Sequence, residues 1–342
     1  MSQTPPARLC EEDILRLAAE LTAGAGPADG VAVGVGDDAA VLAVGGARLA
    51  VTTDMMVEGV HFDLAYASPR DVGWRVMAAN LSDLAAMGAT PRWGFLSLGL
   101  RPGPTPALVE GLFDGMLELA RTHGLRLVGG DTVRAPALTL NLCLIGLCES
   151  GPPTLRSTAR AGQAVCVSGP LGASAAGLAW LSAGRDPADA LAAPAVEAHL
   201  RPRPRLALGR ALAASGRLGA MMDLSDGLAS DLARLCAASG VGARLEAARL
   251  PLAGGAAELA TLVGADAVDW ALRGGEDFEL LFTCQQTDVA ELARLAAQAD
   301  PGAAVVKVGA LTKGRGVWLL GLDGSRTEVG LQGFDHFRGD GQ

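Results

Sequence analysis

The sequence predicts two α+β domains, and three observations carry that prediction. At 342 residues the chain exceeds the size at which a single core stops growing. Strand-like and helix-like runs are mixed in both halves. Between the halves, Gly151-Pro152-Pro153 interrupts any regular structure, and a β-then-α pattern restarts after it, so the expected domains are 1–150 and 151–342.

Within the first half, Glu11 to Leu21 places Ile14, Leu15, Leu17, Ala18 and Leu21 at helical spacing, ending in Ala23-Gly24-Ala25-Gly26-Pro27. Ala39 to Val44 and Ala47 to Thr53, split by Gly45-Gly46, read as a hairpin. Pro69 to Gly88 is helical with Val72, Val76, Ala79 and Leu84 inside, and Ala107 to His123 is a second helix stopped by Gly124. Leu125 to Val128 then forms a strand ending at Gly129-Gly130-Asp131, followed by a long strand from Leu138 to Cys148. In the second half, strands are expected at Gln163 to Ser168, Leu280 to Cys284, Val305 to Val308 and Val317 to Leu320. Gly169 to Ser182 gives a loop and helix, and Met221-Met222 lead to Asp223 and a helix from Gly227 to Ser239. Pro187 to Ala193 reads as a surface insertion, and Arg201-Pro202-Arg203-Pro204-Arg205 as a solvated, stiff lead-in to a helix.

Composition narrows the function. Half the residues are apolar and 19% charged, as in a globular protein. The longest apolar run, Ala137 to Cys148, is too short to span a bilayer. The polar, Pro-rich opening shows no signal peptide, so a cytoplasmic location is expected. A net charge of -9 argues against gripping nucleic acid, which needs a basic face. Six cysteines without C-x-x-C spacing read as free buried thiols, and four histidines are too few for a multi-histidine metal centre.

The chemistry sits in short acidic motifs: Gly36-Asp37-Asp38, Thr53-Asp54, Ser82-Asp83, Gly130-Asp131, Asp223-Leu224-Ser225-Asp226-Gly227 and Gly275-Glu276-Asp277. Carboxylates beside glycines and hydroxyls supply the hard oxygen ligands that Mg²⁺ prefers, and Mg²⁺ held this way usually brings phosphate. Acidic loops would otherwise repel ATP, so the metal and phosphate readings require each other. Asp83 is the most telling: it shares a helix face with Asn80, and apolar Leu84, Ala85 and Ala86 follow, so burying it without a cation or donor is costly. Asp37 and Asp38 alone could be a solvated turn, and Ser225 or Asp226 a helix cap. Arg156 could clamp phosphate or lie on the surface; His61, taken alone, reads as structural. Gly34-Val35-Gly36-Asp37-Asp38-Ala39 matches a loose dinucleotide pattern, but a hairpin follows where a helix is needed. The Walker and protein-kinase signatures are absent.

In order, Gly36-Asp37-Asp38-Ala39, Thr52-Thr53-Asp54 through His61-Phe62, Asn80 to Ala89, Gly129-Gly130-Asp131-Thr132, Asp223 to Leu228, Gly274 to Leu280 and Gly333-Phe334-Asp335-His336-Phe337 resemble the thiamine-monophosphate kinase family. The series covers nearly the whole chain. That family lies in the aminoimidazole ribonucleotide synthase-like superfamily, so the resemblance implies a two-domain α+β architecture: an N-terminal α/β domain forming a homodimer interface and a C-terminal α+β domain. It also implies ATP-dependent phosphorylation of thiamine monophosphate to thiamine diphosphate with several Mg²⁺ ions. By position, Asp38, Thr52, Thr53, Asp54, Asp83, Asp131, Asp223 and Asp226 would hold metal. Gly130, Asp131, Arg156 and Ser225 would contact ATP, His61, Glu276 and Phe334 the thiamine substrate, with Asp131, Asp226 and Arg156 nearest the chemistry. Thr52 stands where the family often has serine, which keeps the oxygen ligand. The rivals are selenophosphate synthetase, a hydrogenase-maturation dehydratase or a purine-synthesis ligase of the same superfamily, and a non-catalytic Mg-ATP-binding module. The first two need a reactive or C-terminal cysteine that this chain does not offer.

Overall fold

Residues 11–23, 30–149 and 151–330 are described in the structure, a computed structural model. The first half runs α1 (Glu11–Ala23), β1 (Val31–Val33), β2 (Ala40–Val44), β3 (Ala47–Val57), α2 (Pro69–Ala86), β4 (Thr90–Leu100), α3 (Pro106–Thr122), β5 (Arg126–Arg134) and β6 (Thr139–Leu147). Its six strands order as β1-β2-β3-β6-β4-β5, antiparallel except for the β4–β5 pair. The expected hairpin is β2–β3, closed at Val44↔Ala47. Strand β4 has no counterpart in the sequence reading, although Leu96, Leu98 and Leu100 alternate into the core. Its presence explains a second difference. Paired in parallel with β4, β5 continues through Gly129-Gly130-Asp131, where the sequence had placed the strand's end.

The second half runs β7 (Ala164–Val167), α4 (Ala173–Ser182), α5 (Ala193–Leu200), α6 (Leu206–Ala214), β8 (Leu218–Asp223), α7 (Leu228–Ser239) and β9 (Gly242–Glu246). It continues with α8 (Ala256–Val263), α9 (Ala267–Arg273), β10 (Leu280–Cys284), α10 (Val289–Ala299), β11 (Val306–Thr312), β12 (Val317–Leu320) and β13 (Arg326–Glu328). The seven strands order as β13-β12-β9-β11-β7-β10-β8, with β12 parallel to β9 and the other pairs antiparallel.

Helix α2 joins the two halves. Its start is fixed by a capping box: the Asp71 N–H donates to Ser68 Oγ, the Ser68 N–H donates back to Asp71 Oδ2, both at 3.2 Å, and Pro69 follows the cap. It is buried over most of its length. Val76, Leu81 and Leu84 share one continuous core with Leu206, Leu208 and Leu212 of α6, Met221 of β8 and Phe282 of β10. The opposite face of the second sheet has its own core, where Val165, Val167 and Met222 meet Leu232, Leu235 and Leu245. The two-residue alternation along β7 and β8 decides which side chain goes to which core.

The arginine-proline stretch departs from its solvated reading. Arg201 Nε donates to Asp71 Oδ1 at 2.7 Å, and Arg205 bridges Glu279 and Asp300, tying α6 to the strand end and helix behind it. Residues 187–191 are exposed turns, as a surface insertion should be, and Ala192 is already buried. Cys143, Cys148, Cys166, Cys236 and Cys284 are free thiols, and Cys10 lies outside the described residues. No helix among the described residues is long and apolar enough to cross a membrane.

Candidate active site

Carboxylates from four separate segments meet where the two sheets approach α2. Strand β3 points Thr52 and Asp54 towards α2, which returns Asn80, Ser82 and Asp83. Thr52 Oγ1 donates to Asp83 Oδ2. The Asp54 N–H donates to Asn80 Oδ1 at 3.1 Å, while Asn80 Nδ2 donates to the Val76 carbonyl at 2.9 Å, so Asn80 locks the strand to the helix. Ser82 Oγ donates to Asp223 Oδ2, at the end of β8, at 2.7 Å. One oxygen each from Asp38, Asp83 and Asp223 lie within 4.8 Å of one another. Burial first, and then neighbouring carboxylates, push the Asp83 and Asp223 pKa values well above the usual range. Asp54 is raised to about 6, again by burial first, with Asp226 and Asp38 adding to the effect.

Two arginines border this cluster. Arg156 Nη2 pairs with Asp38 Oδ1, and the Arg156 N–H donates to Asp37 Oδ2 at 3.2 Å, which makes Arg156 a part of the site. Asp37 itself is raised to about 6, chiefly by burial and then by Asp38. Asp226 is held by Arg234 Nη1, which also reaches Asp231 Oδ1 at 2.8 Å, and the Asp226 N–H donates to Asp231 Oδ2 at 3.0 Å. Helix α7 is capped by Gly227 without a side-chain hydrogen bond, so neither Ser225 nor Asp226 serves as its cap.

Gly130 and Asp131 lie elsewhere on the chain. The register aligns Asp131 with Ser97, Asn141 and Met55 on β5, β4, β6 and β3, a span of three strand spacings or roughly 14 Å. That row faces away from Asp54, and Thr53 shares its face, donating to Asn141 Oδ1 at 3.3 Å. Gly130 packs so tightly under Leu96 that a Cβ would come within 1.8 Å of the Leu96 carbonyl oxygen. A cavity of about 320 Å³ opens beside this strand, lined by Leu96, Phe113, Leu127 and residues 129–132.

Two of the expected substrate residues, His61 and Glu276, fall within the described residues. His61 Nδ1 accepts the Val57 N–H at 3.0 Å, which places the ring proton on Nε2. Glu276 has φ +65° and Phe278 φ +48°, both left-handed and strained for residues with a Cβ. Backbone bonds impose this: the Glu276 N–H donates to the Ser225 carbonyl at 2.8 Å and the Phe278 N–H to the Leu224 carbonyl at 3.0 Å. Gly275 makes the approach possible, since a Cβ there would lie 2.6 Å from the Ser225 oxygen. The turn carrying Glu276 is thereby fastened to the turn carrying Asp223 and Asp226. Asp277 accepts the Gly172 and Ser174 N–H groups at 2.7 and 3.2 Å, a role in anchoring the start of α4. Phe334 lies outside the described residues.

Several residues here carried no flag in the sequence reading. Arg75 pairs with Glu276, His199 and Ser174 stand beside them, and Asp231 and Arg234 hold Asp226. Arg75 could have been noticed: it lies three residues after Val72 and four before Ala79, on the apolar stripe of α2.

Fold and carboxylate cluster together define a protein of the AIR synthase-related class: the family described as "AIR synthase related protein, N-terminal domain" matches residues 36–148, and its C-terminal counterpart matches residues 160–319. Within that class the chain belongs to the thiamine-monophosphate kinase family. It is 39% identical to the thiamine-monophosphate kinase of Escherichia coli O157:H7 over 312 residues, covering 90% of this chain and 92% of that protein. To the Bacillus subtilis (strain 168) thiamine-monophosphate kinase it is 36% identical over 313 residues, covering 90% and 94%. The solved structure of AaThiL complexed with AMPPCP and TMP superposes with a TM-score of 0.84 at 29% identity, over 98% of this chain and all of that one (100%).

Proposed function

We propose that the chain transfers the terminal phosphoryl group of ATP to thiamine monophosphate, forming thiamine diphosphate. The observation that carries this is the convergence of Asp38, Asp83 and Asp223, from segments far apart in sequence, to within 4.8 Å. The relatives named above supply the substrate pair. The attacking atom would be a phosphate oxygen, anionic at neutral pH, so no general base is needed. What the reaction demands is two polyanions held in line.

The site suits Mg²⁺. Its donors are all hard oxygens, and Asp38 Oδ2 is buried without a hydrogen-bond partner among the described residues. Asp38, Thr52, Thr53, Asp54, Asp83, Asp131, Asp223 and Asp226 are the residues we assign to the metals, which when bound would neutralise charge on the phosphates. Gly130, Asp131, Arg156 and Ser225 are assigned to ATP; Arg156 already lies against Asp38 and can shift its charge to an incoming phosphate. His61 is assigned to the thiamine substrate, as are Glu276, an acceptor for an amino group, and Phe334, an aromatic face. On this reading, residues 1–150 form the metal- and ATP-binding domain, and 151–342 supply Glu276, Phe334 and the closing metal ligands.

A homodimer is part of the proposal. Met55, Trp93, Phe95 and Val133 lie on one face of the first sheet with exposures of 41–55%. Pairing two such faces would cover them. It would also give the Gly130-Asp131 strand, remote from Asp83 within one chain, a second carboxylate cluster to face across the interface. Free thiols throughout the described residues suit a cytoplasmic location. The test is direct: the chain is incubated with Mg-ATP and thiamine monophosphate, and thiamine diphosphate is the expected product. Mg-ATP binding without turnover would instead make it a non-catalytic module.

A further inference from the structure

Arg75 has no exposed surface, yet among the described residues its only hydrogen-bond partner is the Glu276 carboxylate, which reaches it from the other half of the chain. Nε and Nη1 are buried with no partner among the described residues. An arginine so poorly satisfied is an expensive way to fill a core, where an apolar side chain of similar volume would serve stability as well or better. Its partner is also held at a cost, in a left-handed backbone conformation. His199, the other group at Glu276, lies 3.7 Å from Oε2 and shares a hydrogen bond with Ser174 Oγ at 3.0 Å. Burial, and then Arg75, push its pKa down to about 3, so Arg75 is the one cation at this carboxylate among the described residues. Glu276 meanwhile keeps 27% of its side chain exposed.

We propose that Arg75 is a positioning residue for the organic end of the substrate: it aims the Glu276 carboxylate at the amino-bearing heterocycle. The inference rests on the reading of Glu276 as a substrate contact given above. Arg75 and Asp83 stand eight residues apart on α2, about 12 Å along its axis. One rigid helix therefore sets the distance between the group that receives the heterocycle and the cluster that receives the phosphates.

The experiment is steady-state kinetics on the full chain for the wild type, Arg75→Met, Arg75→Lys, Glu276→Gln and the double variant Arg75→Met/Glu276→Gln. Arg75→Met should raise the KM for thiamine monophosphate about tenfold, the scale of one lost charge-assisted hydrogen bond, while the KM for ATP stays within about twofold. Arg75→Lys, which keeps the charge, should fall between, and it carries the test alone if Arg75→Met fails to fold. The double variant should be no worse than Glu276→Gln, because both act through one carboxylate. Equal rises in both KM values, an unchanged KM for thiamine monophosphate in the Arg75 variants, or additive effects in the double variant would overturn the proposal while leaving a productive wild type and its function intact. A wild type that forms no thiamine diphosphate overturns both.

Discussion

At the scale of single residues, the site is built against its own stability. Asp83 and Asp223 are buried close to other carboxylates, and among the described residues neutral hydroxyls donate to them, Thr52 to Asp83 and Ser82 to Asp223. Asp83→Asn should therefore melt later than the wild type in excess chelator, by a few degrees, the scale of about 1 kcal/mol in a domain this large. The same variant should lose the upward shift that Mg²⁺ gives the wild type, and its kcat should fall by at least about 100-fold. Scanning calorimetry with and without Mg²⁺ reads the first two, and product assay the third. His199 offers a pH test. Its folded pKa of about 3 lies below the ordinary 6.5, so the folded state resists protonation: stability is full above pH 6.5 and is lost as pH falls below it. His199→Gln should flatten the stability profile between pH 6.5 and 5, by up to about 1.4 kcal/mol per unit towards pH 5, relative to the wild type; equal slopes would show that His199 is protonated in the fold. Aspartates beside glycines and hydroxyls made most of the acidic site legible in the sequence. Arg75 and His199 were not, because their partners lie on other elements and only packing brings them together, whereas Arg234 stands three residues after Asp231 on α7 and went unflagged despite that local spacing.

Among the elements, legibility followed the strength of the pattern. The β2–β3 hairpin, α2, α3, α7 and the long β6 all carried sharp periodicity or glycine punctuation, and each formed where the residues indicated. Helices α5, α6 and α8 are short and rich in alanine, which sits as readily on either face and blurs the apolar stripe, whereas α10 carries a clear stripe through Leu292 and Ala296 that the sequence reading passed over. Strand β4 was missed for a different reason: Pro91, Gly94 and Gly99 interrupt a run that is nonetheless held between two neighbours. With β4 hidden, the glycines after it looked like a turn. They are instead the place where β5 slides under Leu96, and Gly130→Ala should push the strand away. We expect it to lower stability by about 1–3 kcal/mol, the cost of a forced backbone, and to raise the KM for ATP more than that for thiamine monophosphate. Denaturant unfolding and substrate titrations check both.

For the whole molecule, the proposed homodimer rests on the uncovered face of the first sheet. Phe95→Asp places a charge in the middle of that face and should leave the chain folded but monomeric in sedimentation equilibrium, with activity falling in step with dimer content. A monomeric wild type would remove the homodimer from the proposal. The continuous core running from α2 into α6, β8 and β10 has a consequence of another kind. Two bodies that share packed side chains cannot swing apart without opening that core to water, so we expect no jaw-like motion between them. On that expectation, small-angle scattering should give the same radius of gyration with and without nucleotide. Turnover should then respond to solvent viscosity only as far as substrates and products must diffuse in and out, since no large-scale swing has to precede the chemistry.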